Sequence, residues 1–172
     1  MPIIVLCGYV HAGTSYVADL LIKHGADPGV CYDAKADYDT HENLIFRAFC
    51  SSKLGIETKG VDAGTDYTQS MKMLLAQMGE GTHLLKYPKS VALLNDLAEM
   101  CEFKTVFVTR PWDEWKESYM RRTGLNQTAA VKYRLNEGFF LNMYAGQSLV
   151  VNFRSLMEGR GVDDLLRYVG LT

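Results

Sequence analysis

The sequence predicts an α/β fold in which helices cover both faces of a parallel sheet, a three-layer doubly wound arrangement. Short apolar runs rich in Val, Ile and Leu recur along the chain, each bounded by Gly, Pro or charged residues, as buried strands of a parallel sheet tend to be. Segments with apolar residues at spacings of three, four and seven lie between those runs, which is typical of helices packed on a sheet. Alternation of the two patterns favours a parallel sheet with helical crossovers.

Four strands are predicted, and each is a buried apolar run. They are IIVLCG (Ile3 to Gly8), HLLKYP (His83 to Pro88), KTVFVTR (Lys104 to Arg110) and SLVVNF (Ser148 to Phe153). Two helical faces follow from residue spacing. They comprise Val17, Leu20, Leu21 and His24 after the first strand, and Val91, Leu94, Leu97, Ala98 and Cys101 after the second. Further helices are predicted at Asp37 to Ser52, Asp66 to Met78 and Gln127 to Ala145, with a glycine-punctuated loop at Lys53 to Thr65.

Composition limits the classes of function. The chain has 172 residues, 48% of them hydrophobic, and is expected to form one domain over residues 1–172. A formal net charge of -2 gives no general attraction to nucleic acid, so any anion site must be local. No stretch predicts a membrane span. The four cysteines are widely spaced and predict buried free thiols in a reducing compartment, hence a cytoplasmic protein without a metal site.

The stretch GYVHAGTS, Gly8 to Ser15, joins the first strand to a helix. This geometry directs backbone N–H groups and a helix dipole at one anion. It differs from the nucleotide-binding pattern GxxxxGK[ST] at one position, because Thr14 stands in place of the lysine. The strand FVTRP also carries Arg110 where a Mg²⁺-binding carboxylate would lie in a phosphotransferase. A glycine turn before a helix is common in doubly wound sheets, so the loop alone leaves its ligand open.

The same loop resembles that of the sulfotransferases, whose 5′-phosphosulfate loop carries Gly-Thr-Ser or Gly-Thr-Thr. The segment LLKYPKSVALLNDLAEMCEFKTVFVTRPWDEWKES is similar to the family's order of a Lys-x-Pro, a helix, a strand, and an Arg followed eight positions later by a Ser. These are Lys86, Arg110 and Ser118 here. The closing segment, Ser148 to Leu171, is also similar, although Asn152 to Leu156 depart from the family's acidic residues. The resemblance implies a P-loop-like sulfotransferase fold and leaves Lys53 to Met78 unmatched.

The resemblance also implies a donor, 3′-phosphoadenosine 5′-phosphosulfate, and roles for individual residues. Arg110 and Ser118 would hold its 3′-phosphate, and Lys86 would be the cation nearest the bridging oxygen. The 5′-phosphate would be cradled by the loop N–H groups of Ala12, Gly13, Thr14 and Ser15. The acceptor would be a small molecule or a saccharide bearing a hydroxyl or amine, and no metal is required. The oligomeric state is not predicted.

Two departures from the family leave roles open. His11 occupies a slot that is usually basic, so it is either a protonated anion donor or a loop filler. Pro88 stands where cytosolic eukaryotic members carry a base. Glu42 is then the candidate general base and His41 its rival, unless Thr40 caps the helix and places Glu42 and Asn43 in its first turn.

Three functions remain in competition. The first is sulfuryl transfer. The second is a P-loop kinase for a nucleotide or small molecule, and the third is an inactive relative that keeps nucleotide affinity without transfer. The acceptor wall is expected from Asp33 to Phe49 and Gln127 to Tyr144. Tyr133, Phe139, Phe140 and Tyr144 could line this wall or belong to the core, and their helical spacing favours the core.

Overall fold

The structure, a computed structural model, describes residues 2–31, 41–62, 64–144, 146 and 148–172. Within these residues one sheet has five strands. They are β1 (Ile3–Gly8), β2 (Ala26–Asp27), β3 (Thr82–Lys86), β4 (Lys104–Thr109) and β5 (Ser148–Asn152). Their order is β2-β3-β1-β4-β5, and every neighbouring pair is parallel. The carboxyl ends of β1, β3 and β4 therefore meet at one edge of the sheet, where ligands of open α/β sheets bind.

The described residues also form eight α-helices. They are α1 (Thr14–Lys23), α2 (Leu44–Lys53), α3 (Thr68–Gln77), α4 (Leu94–Ala98), α5 (Trp112–Thr123), α6 (Gln127–Met143), α7 (Phe153–Met157) and α8 (Val162–Val169). A 3-10 turn, Pro88–Leu93, precedes α4. None of the described helices has both the length and the apolar character that crossing a bilayer requires.

Alternate residues of β1 face opposite sides of the sheet. Ile4 and Leu6 pack into a core with α1, α5 and α8, whereas Val5 and Cys7 pack into a second core with α2, α3 and α4. Full burial of such side chains stabilises the fold by about 1.5–3 kcal/mol each. Helices thus cover both faces, and the predicted three-layer doubly wound fold is confirmed.

Gly8 is required where β1 meets β4. It pairs with Val108, and a Cβ built at this position would overlap the Val108 carbonyl oxygen. The two strands can therefore approach each other at their carboxyl ends only because residue 8 has no side chain. This close approach brings the loop after β1 against the residues that follow β4.

Most predicted elements are present with small shifts at their ends. The strands β1, β3, β4 and β5 match the four apolar runs, and α3 and α6 match two of the predicted helices. The strand β2 was missed because two residues are too few to show a pattern. The four cysteines are free thiols, as predicted, but only Cys7 and Cys50 are buried, whereas Cys31 and Cys101 are half-buried.

Four local predictions were wrong or need correction. α2 begins at Leu44, and Asn43 caps it by accepting from the Ile45 and Phe46 N–H groups at 3.1 Å, so Glu42 precedes the helix. The predicted residues 37–40, including Thr40, lie outside the described residues. His24 is exposed at the end of α1, where its ring bonds the Leu20 carbonyl, instead of lying on the apolar face.

The other two concern later helices. The segment after β3 is a 3-10 turn, which Pro88 begins, followed by the five-residue α4, and not one continuous helix. Phe139 and Phe140 are 59% and 39% exposed and do not belong to the core. Tyr133 and Tyr144 do pack against the core, as predicted.

Candidate functional site

The loop after β1 wraps tightly before α1 starts at Thr14. The Ala12 N–H donates to the Tyr9 carbonyl at 2.8 Å and Ala12 is fully buried, so its N–H is used within the loop. Gly13 has φ 103° and lies against the Phe153 ring. No side chain caps the N-terminus of α1. The first N–H groups of this helix, at Thr14 and Ser15, are therefore the part of the predicted cradle that an anion can use.

Trp115 anchors this loop from the side of α5. It is fully buried, and its Nε1 donates to the Val10 carbonyl at 2.8 Å. Its ring lies 5.8 Å from the Tyr9 ring and 5.0 Å from the Tyr119 ring. Trp115 thus has a structural role, because it fixes the backbone of the loop at Val10.

Lys86 ends β3 beside the loop and is 2% exposed. Its Nζ donates to Ser15 Oγ at 3.2 Å and lies 3.6 Å from Glu42 Oε1. Glu42 Oε2 lies 3.3 Å from Arg47 Nε. A buried ammonium needs such partners, because desolvation of an unpaired charge costs several kcal/mol. The loop itself has no lysine, but Lys86 from the neighbouring strand β3 brings an ammonium group next to Ser15 of the loop.

Arg110 and Ser118 lie on the other side of the loop. Arg110 follows β4, and its guanidinium lies 5.0 Å from the Phe153 ring centre and donates from Nε to Glu114 Oε2 at 3.3 Å. Ser118 is on the buried side of α5, 6% exposed. Arg154 also contacts Glu114, at 2.6 Å, so this carboxylate orients two arginines.

One cleft, of about 440 Å³, joins these groups. Eight of the ten predicted site residues line it: His11, Gly13, Thr14, Ser15, Glu42, Lys86, Arg110 and Ser118. Ala12 does not line it. His41 does not line it either, but its Nε2 lies 2.6 Å from Oδ1 of Asp19, which does. The structure therefore brings together the loop after β1, Lys86 and Arg110, which are far apart along the chain.

His11 lines the cleft in a left-handed backbone conformation, φ 67°. Burial lowers the pKa of His11, and the nearby Arg122 lowers it further. Both effects disfavour the imidazolium form. The interpretation of His11 as a neutral loop residue is thus favoured over that of a protonated anion donor.

Several residues of this region were not among the predicted site residues, and four of them bear on the geometry of the site. Asp19, Tyr16 and Phe153 line the cleft, and Arg47 contacts Glu42. Asp19 could have been found, since it lies one helical turn after Ser15 on α1. Arg47 and Phe153 depend on contacts between distant segments and carry no local signal. Among the described residues, no group of three or more His, Cys, Asp or Glu is placed to hold a metal ion.

Comparisons with known proteins show the fold of the chain. No family model matches the chain, and no curated protein does. A sulfotransferase domain of the Synechococcus olefin synthase is 14% identical, with a TM-score of 0.58, over 98% of this chain and 72% of that one. A sugar kinase from Janibacter is 14% identical, with a TM-score of 0.58, over 100% and 96%.

A third solved structure, TT1252 from Thermus thermophilus, is 16% identical, with a TM-score of 0.53 over 96% of each chain. At these identities the likeness concerns backbone architecture alone. The chain thus has an α/β fold of a parallel five-stranded sheet flanked by helices, shared with a sulfotransferase domain and with a sugar kinase.

Proposed function

We propose that this protein is a sulfotransferase that moves a sulfuryl group from 3′-phosphoadenosine 5′-phosphosulfate to a hydroxyl or amine acceptor. The observation that supports this most is the composition of the cleft, in which Lys86, Arg110 and the start of α1 converge without a lysine in the loop itself. Two separate cationic groups on either side of a loop suit a ligand with two separated anionic groups, such as a 5′-phosphosulfate and a 3′-phosphate.

The donor fits the residues present. The uncapped N-terminus of α1 with Ser15 offers donors to the 5′-phosphosulfate, and the Arg110 guanidinium with the Ser118 hydroxyl offers donors to the 3′-phosphate. The cleft's volume of about 440 Å³ is within the range of sites for small molecules. The donor supplies an activated sulfuryl group whose transfer leaves negative charge on the departing phosphate.

We assign the stabilisation of that charge to Lys86. Its Nζ lies next to Ser15 Oγ in a largely buried position, where a fixed cation acts with little screening by water. Glu42 is the carboxylate that lines the cleft beside Lys86 and is the proposed acceptor of the hydroxyl or amine proton. His41 is the weaker candidate, because it does not line the cleft.

The proposal is tested by calorimetric titration with adenosine 3′,5′-bisphosphate. Arg110→Ala should weaken binding by at least about tenfold, because a charge-assisted hydrogen bond contributes about 1.5–3 kcal/mol. Arg121→Ala, an exposed arginine of the same helix region that does not line the cleft, should leave the affinity unchanged. Equal losses in both variants, or no binding by the wild type, would contradict the proposal.

Binding alone does not distinguish an enzyme from an inactive relative. Transfer is measured with sulfur-labelled donor against a panel of phenols, amines and saccharides, with Lys86→Met as the catalytic control. Binding without transfer to any acceptor would support the inactive relative.

A kinase is the second candidate, and one observation favours it. Two carboxylates, Asp19 and Glu42, line the same cleft, and carboxylates are the usual Mg²⁺ ligands of phosphotransferases. Thr14 in the loop and the engagement of Glu42 by Lys86 and Arg47 argue against it. Tight binding of ATP with Mg²⁺, together with no binding of adenosine 3′,5′-bisphosphate, would establish this alternative.

A further inference from the structure

Glu42 contacts two buried cations at once. Its Oε1 lies 3.6 Å from Lys86 Nζ and its Oε2 lies 3.3 Å from Arg47 Nε. Arg47 belongs to the first turn of α2, is 8% exposed, and is fixed by donation from Nη1 to the Lys59 carbonyl at 3.0 Å. The carboxylate is thus shared between an arginine held by the scaffold and the lysine that faces the cleft.

The backbone around Glu42 is also held. The side chain of Asn43 caps α2 and donates to the Pro28 carbonyl at 3.1 Å, and His41 is paired with Asp19 on α1. Residues on both sides of Glu42 are therefore tied to different elements. The carboxylate is confined to the space between Lys86 and Arg47.

This arrangement has an electrostatic consequence for an anionic ligand. A carboxylate beside an anion site repels the ligand and competes with it for Lys86. The Arg47 guanidinium offsets the carboxylate charge from the opposite side, and an arginine keeps its charge at every relevant pH. With Arg47 in place, Lys86 can exchange Glu42 for an incoming anion without leaving a buried carboxylate unpaired.

We propose, building on the proposed function, that Arg47 is a positioning residue: it holds the Glu42 carboxylate and so leaves the Lys86 ammonium available to the anionic group of the donor. Arg47 does not line the cleft and acts through Glu42. The substitution Arg47→Met would remove one of the two cations that contact Glu42 in the described part of the chain and strengthen its pairing with Lys86, the other, and the donor would then have to displace that carboxylate.

A double-mutant cycle tests this coupling. Affinity for adenosine 3′,5′-bisphosphate and for inorganic pyrophosphate is measured by calorimetry on the wild type, Arg47→Met, Glu42→Gln and the double variant. Arg47→Met should weaken binding about tenfold, and Glu42→Gln should tighten it several-fold. The double variant should bind like Glu42→Gln, and Arg47→Lys should recover most of the wild-type affinity.

The outcomes separate the two proposals. If pyrophosphate binds but the bisphosphate does not, the proposed donor is wrong. The coupling between Arg47 and Glu42 is then measured from the affinities of the four proteins for pyrophosphate. If neither binds, both proposals fail. An equal loss from Arg47→Met in the wild type and in the Glu42→Gln variant would overturn the role of Arg47, because a purely structural arginine acts independently of the side chain at position 42. Arg47→Gln is measured in parallel, so that the cycle does not depend on the folding of one variant.

Discussion

Gly13 is the single residue on which the shape of the loop depends most directly. Its φ of 103° is one that side-chain-bearing residues rarely adopt, and a Cβ at this position would also overlap the Phe153 ring. The two effects are separable, because Gly25 has almost the same φ, 101°, with nothing within 4 Å of its Cβ position.

We therefore expect Gly13→Ala to destabilise the protein more than Gly25→Ala. The backbone conformation costs an alanine about 1–2 kcal/mol at either site, and overlap with Phe153 adds about 1–3 kcal/mol at Gly13 only. Urea unfolding of both variants measures the difference. Combining Gly13→Ala with Phe153→Leu should recover part of the loss, whereas equal destabilisation by the two glycine substitutions would show that the ring contact is unimportant.

Residues differ in how far the sequence could indicate their roles. The loop, Lys86 and Arg110 lie at strand ends, so topology places them at one edge of the sheet. Ser118 lies within α5 and was indicated only by the family resemblance. Arg47 carries no such signal, since nothing local distinguishes it from a surface arginine on an amphipathic helix. Glu42 was predicted as a site residue, but its pairing with Arg47 becomes evident only once α2 is packed against β3.

At the scale of elements, long residue patterns predicted the strands and helices correctly, whereas helix ends and exposed helix faces were not predicted. The strands β1 and β4 were predicted closely because each contains an unbroken apolar run rich in β-branched residues, which is typical of a buried parallel strand. The start of α2 was missed because Thr40, Glu42 and Asn43 all suit a helix N-terminus, and only the hydrogen bonds of Asn43 decide between them. The exposure of Phe139 and Phe140 depends on which face of α6 packs against α5 and the 3-10 turn, which spacing alone did not reveal.

The buried face of α6 contains a carboxyl group that should make the stability of the protein depend on pH. Glu137 is 6% exposed, and among the described residues its Oε2 has no hydrogen-bond partner. Burial raises the pKa of Glu137 from 4.5 to about 7, against smaller opposing effects of Tyr133 and Lys89. The folded protein therefore binds a proton here that the unfolded chain has already lost near neutral pH.

Because the pKa is raised on folding, this group reduces stability as pH rises from 4.5 through about 7. Between pH 5.5 and 8 the wild type should lose about 2 kcal/mol from Glu137 alone. Glu137→Gln should remove this loss, so that its advantage over the wild type grows with pH. Urea unfolding at the two pH values measures it. The exposed Glu117→Gln should keep the wild-type dependence, and an unchanged dependence in Glu137→Gln would contradict the assignment.

At the scale of the whole molecule, the parallel sheet assembles the cleft from segments that are distant in the chain. The loop follows β1, Lys86 ends β3, Arg110 follows β4, and Phe153 follows β5. Every one of these positions lies at a carboxyl end, which is a property of the topology and not of any one segment. A ligand in this cleft should therefore contact the ends of four strands, β1, β3, β4 and β5, that are distant from one another in the sequence.

Hydrogen exchange with adenosine 3′,5′-bisphosphate tests this composite cleft. At a ligand concentration about 100 times Kd, binding stabilises the folded state by about 2.7 kcal/mol. Amides in the loop and first turn of α1, after β3, in α5 and in α7 should all become more protected, because the ligand holds these segments together. The helix α3, which contributes no residue to the cleft, is the internal control and should gain only what global stabilisation gives every amide. Protection confined to the loop would mean that the arginine and the lysine do not share the ligand, and Arg110→Ala should then have no effect on protection anywhere.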